Sequence, residues 1–288
     1  MPGNTQASLQ RTNLSSLVER YDVFLLDIYG VLVSSAGALP GAPQFLRRLE
    51  EAGKSFLLVS NDASRSVATA ITRYAGFGLG VAPEQFLCSG MMLADYYAAH
   101  GLANAPSIVL GTEDSADYVR AAGGRVVPSH DASAEVVVLA DDAGYPLLET
   151  CNAVVSVLLA RLDAGLHTRL VLPNPDHIFP SGPQKYGIAS GAIAEMIESV
   201  LRLRAPGGEH RFVPLGKPHA PIFEAALRRS PVQDKRRIVM VGDQLLTDVR
   251  GARDVGLDSV FIETGVGRLR DAQVHGIEPT WVLANLLD

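Results

Sequence analysis

The sequence predicts an α/β fold built on a doubly wound parallel sheet, with a smaller α/β unit inserted into it. Short runs of apolar and β-branched residues, typical of buried parallel strands, alternate with segments of helical apolar spacing. This alternation favours a parallel sheet that helices cover on both faces. A second alternation in the middle of the chain is long enough to form a core of its own.

The first strand lies in the stretch 23–33, an apolar run that one carboxylate, Asp27, interrupts. Burying a lone carboxylate inside a strand is costly. The cost is tolerable at the carboxyl end of the strand, where open α/β sheets place their ligands. Gly30 then allows the chain to turn sharply away. On this stretch alone, a ligand-binding Asp27 and an Asp27 that caps a turn are equally good interpretations.

The segments on either side of the middle section repeat the strand–helix pattern. Helices are predicted at 14–20, 43–52, 66–74, 91–100 and 221–228, and further strands at 55–59, 237–241 and 259–262. Ser89 is predicted to cap the helix 91–100, and Thr247 and Asp248 to begin another helix.

The middle section has its own strands and helices. Strands are predicted at 107–111, 125–127, 135–140 and 169–172, and helices at 114–122, 147–164 and 192–204. A Pro- and Gly-rich loop follows Asn174, and 206–208 is a linker. We therefore predict a core of residues 1–100 and 208–288 and an inserted domain of residues 101–207. Contacts between domains are usually modest, so the insert is expected to move. The apolar helix 147–164 packs either in the insert's own core or in a homodimer interface.

Composition excludes several classes of function. The chain has 288 residues, of which 47% are apolar, and its net charge is −6 without a basic stripe, which argues against nucleic-acid binding. No apolar run approaches the length of a membrane span, and the first 20 residues lack the apolar region of a secretory signal. Two cysteines, Cys88 and Cys151, have no metal-ligand spacing and fit a reduced cytoplasmic protein.

Three predicted strands end in polar groups: Asp27, Ser60 with Asn61, and Asp243. If these strands are neighbours in one parallel sheet, the groups gather at one edge. Two carboxylates brought together repel each other unless a cation lies between them. Mg²⁺ suits such a site, because it takes one or two carboxylates and is completed by substrate phosphate oxygens. Ser60 and Asn61 can donate hydrogen bonds to a phosphate, and Lys217 adds a positive charge.

Four motifs follow one another along the chain: Asp27-Ile-Tyr-Gly, Ser60-Asn61, Gly216-Lys217-Pro218, and Gly242-Asp243 followed by Thr247-Asp248. In this order they resemble the haloacid dehalogenase (HAD) superfamily of phosphohydrolases, and in particular its subfamily IIA of nucleotide-sugar and pyridoxal-phosphate phosphatase-like proteins. The insertion between the second and third motifs, with its run from Asn174-Pro175-Asp176 to Gly191-Ala192, also resembles the cap of this subfamily. The resemblance implies a Rossmann-like core that carries an inserted cap.

The resemblance also implies roles for single residues. Asp27 would be the nucleophile that forms an aspartyl-phosphate. Mg²⁺ would be held by Asp27, Asp243 and the backbone carbonyl of Tyr29, and Asp248 would ligate or orient it through a water. The substrate would be a small phosphorylated metabolite.

The remaining implied roles concern the phosphoryl group and the substrate. Ser60, Asn61 and Lys217 would hold the transferring phosphoryl group and stabilise its charge. Asp176 is assigned to substrate binding, with a simple Asn-Pro-Asp turn as the alternative.

One position departs from the pattern. Most phosphatases of the superfamily have a second Asp two residues after the nucleophile, where it protonates the leaving group, and this chain has Tyr29. A phenol is a poor base at neutral pH, so turnover is expected to be slow. Asp62 is either a substitute acid or a helix N-cap. Two other functions stay open: a metal-independent 2-haloacid dehalogenase, and a degenerate member that binds a phosphorylated ligand without turnover.

Overall fold

The computed structural model describes residues 9–182, 185–208 and 210–287 of the chain. The strands are β1 (Val23–Leu26), β2 (Val33–Ser34), β3 (Gly37–Ala38), β4 (Ser55–Ser60), β5 (Phe86–Cys88), β6 (Pro106–Leu110), β7 (Arg125–Val127), β8 (Val136–Leu139), β9 (Arg169–Leu172), β10 (Ile178–Gly182), β11 (Lys185–Ile188), β12 (Val213–Pro214), β13 (Ile238–Gly242), β14 (Asp258–Ile262) and β15 (Trp281–Leu283). The helices are α1 (Leu14–Arg20), α2 (Ala42–Glu51), α3 (Val67–Gly76), α4 (Met92–Ala99), α5 (Glu113–Ala121), α6 (Leu147–Asp163), α7 (Ser190–Arg204), α8 (Ala220–Arg229), α9 (Arg250–Asp254) and α10 (Ala272–His275).

The core sheet is parallel and has the strand order β15-β14-β13-β1-β4-β5. Strand β1 lies between β13 and β4, and Leu26 is level with Val241 of one neighbour and Leu58 of the other. The residues that follow these three strands therefore meet at one edge of the sheet, as the sequence predicts. The sheet is doubly wound, which confirms the predicted α/β, Rossmann-like fold class.

Alternate residues of β1 pack into two different apolar clusters. Phe24 and Leu26 face the cluster that contains α1 and α2, and Val23 and Leu25 face the cluster that contains α4 and α8. All four side chains are buried. This two-sided burial is why the strand is a continuous apolar run, and why its carboxylate comes only after its end.

The second sheet is also parallel and has the order β12-β9-β8-β6-β7. One of its faces packs on α6 and α7. The other face contributes Val136, Val138 and Val171 to an apolar cluster that also contains Leu93 and Tyr97 of α4. We call this cluster the shared cluster. The shared cluster therefore contains apolar side chains of both the insert and the core.

The boundary of the insert at residue 207 stays a prediction, although the second sheet itself runs on to Val213–Pro214 of β12. Apolar residues of α6 pack in the core of the insert, among them Cys151, Val154 and Leu158. A homodimer through the insert stays a prediction. In the described part of the chain, no helix is both long and apolar enough to cross a membrane.

Four local predictions were wrong or incomplete. The Pro- and Gly-rich segment after Asp176 is not only a loop, because β10 and β11 form an antiparallel hairpin there. The short edge strands β5 and β15 were not predicted. Ser89 does not cap α4, since its hydroxyl donates to the carbonyl of Asn61 at 2.7 Å. The helical segment near Thr247 begins two residues earlier with a π-helical turn, Leu245–Val249, which continues into α9.

Candidate active site

A cavity of about 430 Å³ lies between the carboxyl edge of the core sheet and the insert. The core contributes side chains from the ends of β1, β4 and β13, and the insert contributes side chains that follow β8 and β9. The lining includes Asp27, Tyr29, Ser60, Asn61, Asp62, Arg65, Arg73, Lys217 and Asp243 from the core, and Asp141, Asp142, Asp176 and Phe179 from the insert.

Three buried carboxylates, two of which line this cavity, converge around one lysine. Asp27, Asp243 and Asp248 each offer an oxygen, and these oxygens lie within 4.8 Å of one another. Lys217 donates from Nζ to Asp27 Oδ1 at 2.5 Å and to Asp248 Oδ1 at 2.7 Å. The other oxygen of Asp248 accepts from the backbone N–H of Gln244 at 3.1 Å. Four residues from three separate motifs therefore form one charged cluster, as predicted.

The electrostatics of this cluster show a shortage of positive charge. Burial raises the pKa of Asp27 to about 7, although Lys217 acts to lower it. The charge of Asp248 also raises it. Burial and the charges of Asp27 and Asp248 raise the pKa of Asp243 well above its ordinary value. Burial alone would lower the pKa of Lys217, but the two carboxylates beside it prevail and raise it. One ammonium group among three carboxylates leaves a surplus of two negative charges when all are ionised.

The surroundings of Asp243 fit a divalent cation. Its Oδ2 accepts from the backbone N–H of Val266 at 2.7 Å, whereas its Oδ1 is buried and has no hydrogen-bond partner in the described residues. A buried carboxylate oxygen without a donor is costly unless a cation meets it. Hard oxygen ligands of this kind are what Mg²⁺ prefers. The two surplus charges and the unpartnered oxygen thus support the predicted metal site at Asp27 and Asp243.

Two glycines allow the chain to close around Asp243. A Cβ on Gly30, which has a φ of +88°, would lie 2.6 Å from the Asp243 carboxyl carbon, and a Cβ on Gly265 would overlap the same carboxylate. Thr264 donates from Oγ1 to the carbonyl of Gly30 at 2.6 Å and so joins the loop after β14 to the turn after β1. This loop was not predicted from the sequence, although its position after a core strand was a usable signal.

The side chain of Asn61 makes contacts that were not predicted. Its Nδ2 donates to Asp176 Oδ1 at 2.9 Å and to the carbonyl of Lys217 at 3.0 Å, while its Oδ1 accepts from the N–H of Lys217 at 2.7 Å. Both amide hydrogens are therefore already used. The side chain ties the second motif to the third and to the insert. Of the residues predicted to hold the phosphoryl group, Ser60 keeps its hydroxyl, whose oxygen accepts from Asp62 N at 3.1 Å, and Lys217 keeps its third N–H.

Asp62 is not free to replace the missing acid. Its Oδ1 accepts from the N–H and the hydroxyl of Ser64, at 2.8 and 2.6 Å, and its Oδ2 accepts from Arg65 Nη1 at 2.6 Å. The alternative prediction, a helix N-cap, was also wrong, because α3 is capped by Ser66 through the N–H of Thr69. Asp62 instead orders the loop after β4 and pairs with Arg65.

Asp141 and Asp142 were not predicted to line the site. They follow β8 at its carboxyl end, so the rule that located Asp27 and Asp243 would also have located them. Burial raises the pKa of Asp141 to about 6. These two residues make the insert side of the cavity acidic.

Burial also raises the pKa of Asp176 to about 6, against the lowering effect of Lys217. In the unfolded chain the pKa of Asp176 has its ordinary value of 3.8. The protonated carboxyl therefore contributes its full stability to the fold below pH 3.8, and this stability is lost as the pH rises through 6. Asp176→Asn keeps an acceptor for Asn61 without a charge. We expect it to raise the free energy of unfolding at pH 8 by up to about 3 kcal/mol, at about 1.4 kcal/mol per pKa unit, but at pH 4.5 by only about 1 kcal/mol.

Urea unfolding at the two pH values measures this difference. Asp95→Asn is the control, because Asp95 forms an exposed ion pair with Arg228, and such pairs contribute about 1 kcal/mol or less. Equal effects of Asp176→Asn at both pH values would contradict the prediction.

Comparison with known proteins agrees with this geometry. Residues 24–125 match the haloacid dehalogenase-like hydrolase family, and residues 214–288 match a HAD-hydrolase-like family. Human chronophin is 31% identical to this chain over 97% of the chain and 96% of its own length. The chain belongs to the HAD superfamily, subfamily IIA. Within it, this HAD phosphatase is 26% identical to a dihydroxyacetone phosphatase from Corynebacterium glutamicum, over 92% of the chain and 89% of that protein.

The fold of the HAD phosphatase agrees with a solved structure as well. A HAD-superfamily protein from Cytophaga hutchinsonii superposes with a TM-score of 0.85 and 30% identity, over 97% of this chain and 99% of the other. The two matched segments, 24–125 and 214–288, contain all four motifs. The assignment as a phosphatase removes the 2-haloacid dehalogenase from the alternatives.

Proposed function

We propose that this HAD phosphatase hydrolyses small phosphomonoesters through an aspartyl-phosphate on Asp27. The observation that carries the proposal is the cluster of Asp27, Asp243, Asp248 and Lys217, buried at the sheet edge and open to a cavity of about 430 Å³. Lys217 holds one oxygen of Asp27 and thereby orients the carboxylate. A cavity of this size takes a small metabolite rather than a polymer.

The residues around Asp27 can carry out both halves of the reaction. A carboxylate oxygen of Asp27 bonds to phosphorus while the bond from phosphorus to the ester oxygen breaks, and the leaving alkoxide takes up a proton from water. Water then adds to the acyl-phosphate, releasing inorganic phosphate and regenerating the carboxylate. Ser60 and Lys217 donate hydrogen bonds to the phosphoryl oxygens in both steps.

In our proposal Mg²⁺ is held by Asp27, Asp243 and the backbone carbonyl of Tyr29, with Asp248 as a further ligand directly or through water. When bound, the ion supplies positive charge to the carboxylates and to the phosphoryl oxygens. The unpartnered Oδ1 of Asp243 supports this placement.

The direct test is a panel of phosphorylated metabolites and p-nitrophenyl phosphate, assayed for phosphate release with Mg²⁺ and with EDTA. We expect release from at least one small ester and its loss in EDTA. Release that is indifferent to EDTA would contradict the metal site. Tight binding of phosphorylated ligands without any release would favour the degenerate, ligand-binding alternative.

Tyr29 leads to a separate prediction about the leaving group. Because no carboxylate stands two residues after Asp27 and Asp62 is already paired, neither of these positions supplies a proton to the leaving oxygen. p-Nitrophenyl phosphate is therefore expected to react faster than an alkyl phosphate. Tyr29→Asp should raise kcat for the alkyl ester at least about tenfold, since general acid catalysis is typically worth about 10² to 10⁴.

Tyr29→Phe is the matched variant for this prediction, because it removes the hydroxyl and restores no acid. The parent, Tyr29→Asp and Tyr29→Phe are compared on both esters. An alkyl-phosphate rate that Tyr29→Asp leaves unchanged would contradict the prediction. A rate that Tyr29→Phe abolishes would show that the tyrosine hydroxyl itself supplies the proton.

A further inference from the structure

Arg73, on helix α3, is an unusual cation in the wall of the active-site cavity. Its Nη2 donates to Tyr29 Oη at 3.4 Å, a long hydrogen bond. Its guanidinium carbon lies 5.1 Å from the centroid of the Phe77 ring. Its Nε is buried and has no hydrogen-bond partner in the described residues. The guanidinium is thus held in place by an aromatic ring and a phenol while its donors remain poorly used.

The other cations that line the cavity are paired. Lys217 contacts Asp27 and Asp248, and Arg65 contacts Asp62 at 2.6 Å. Arg73 makes no ion pair with any carboxylate in the part of the chain that the structure describes. Leaving a buried donor of a charged group unsatisfied is costly. The cavity therefore contains one guanidinium whose charge the protein itself does not neutralise.

The position of Arg73 relates it to the substrate. Tyr29 lies two residues after the nucleophile and lines the same cavity, and Arg73 contacts the far end of its side chain. A molecule whose phosphoryl group lies on Asp27 has room to extend along Tyr29 toward Arg73. On the insert side, Asp141 and Asp142 repel an anion. An anionic group of the substrate is therefore directed to the Arg73 side.

The number of charges indicates which anion fits. A single unpaired guanidinium balances one negative charge, which matches a carboxylate better than a second, dianionic phosphate. The planar guanidinium also matches a carboxylate in geometry, with two parallel donors. We propose that the substrate is a phosphomonoester bearing a carboxylate, and that Arg73 binds this carboxylate beside Tyr29. This inference rests on the proposed phosphatase function and names its substrate class.

The test uses ester pairs that differ only in the carboxylate. 3-Phosphoglycerate is compared with glycerol 3-phosphate, and 2-phosphoglycerate with glycerol 2-phosphate; the two pairs place the carboxylate at different distances from the phosphate. We expect the parent to prefer the carboxylate in at least one pair by roughly 10- to 100-fold in kcat/KM, the range for a hydrogen bond to a charged group. Arg73→Ala should reduce this ratio to near 1, and Arg73→Lys should restore part of it.

Arg47→Ala is the control, because Arg47 is an exposed arginine on α2, away from the cavity. It should leave the ratio unchanged. Turnover of p-nitrophenyl phosphate by the parent reports on the phosphatase function alone, since that ester has no carboxylate. If the parent hydrolyses it but shows no carboxylate preference in either pair, or if Arg73→Ala keeps the preference, the Arg73 site is wrong while the phosphatase function stands.

Two further measurements complete the test. Binding of 3-phosphoglycerate and 2-phosphoglycerate to the parent and to Arg73→Ala is measured by calorimetry, and weaker binding of the preferred acid to the variant supports the site independently of turnover. 1,3-Propanediol bisphosphate is assayed beside 3-phosphoglycerate. A parent that prefers the bisphosphate would overturn the assignment of a carboxylate.

Discussion

Asp27→Asn is expected to abolish phosphate release from every ester, with a loss in kcat of at least about 10⁴-fold. An amide oxygen is a poor nucleophile, and the covalent intermediate cannot form on it. The substitution removes one of three mutually repelling carboxylates, so folding should be preserved. Phosphate release measures the loss, and mass spectrometry of the parent during turnover should detect a phosphoryl group on Asp27.

Asp22→Asn is the matched control for this prediction. Asp22 immediately precedes β1, at the opposite end of the strand from Asp27, and it pairs with Arg237 and Lys54. Hydrogen bonds from these two partners lower the pKa of Asp22 to about 2. The control should therefore lose some stability at neutral pH but keep its kcat. Turnover that survives in Asp27→Asn, once the asparagine is verified by mass, would exclude Asp27 as the nucleophile.

Lys217→Met is expected to lower the free energy of unfolding by about 3–5 kcal/mol in the absence of divalent metal, because breaking a buried ion pair leaves charges uncompensated. Three carboxylates would remain within 4.8 Å of one another without a cation among them. Methionine is apolar and unbranched and fills a similar space, so the effect is mainly one of charge. Mg²⁺ should restore part of the stability, whereas phosphate release should stay low because a donor to the phosphoryl group is gone.

Urea unfolding with Mg²⁺ and with EDTA measures this prediction. Lys54→Met serves as the control, since Lys54 is mostly buried and pairs with Asp22 at 2.9 Å, away from the cavity. Its loss of stability should be smaller and independent of Mg²⁺. If Mg²⁺ stabilises neither the parent nor Lys217→Met, the three carboxylates do not form the metal site.

The charged cluster could be predicted from sequence because it depends on strand ends. Asp27 and Asp243 follow apolar runs, and parallel strands bring such residues to one edge. Lys217 and Asp248 could be assigned to the site only from the order of the motifs, because neither directly follows a strand of the core sheet.

Other features of the site depend on side-chain packing that no sequence pattern records. Asn61 was predicted as a phosphate donor, but its amide is used by Lys217 and Asp176. In the sequence, Arg73 is simply a polar residue of a short predicted helix. Only the fold shows that it lies beside Tyr29. The β10–β11 hairpin was hidden because proline and glycine interrupt the alternation of its strands.

The shared cluster affects how the two sheets separate when the protein unfolds. Val136 and Val138 of the second sheet are fully buried together with Leu93 and Tyr97 of α4, so separating the sheets would expose apolar surface on both, at about 25 cal/mol per Å². We therefore expect the insert and the core to unfold together, although each has its own sheet. An insert transplanted from another HAD phosphatase would need a matching apolar face on the side that meets α4.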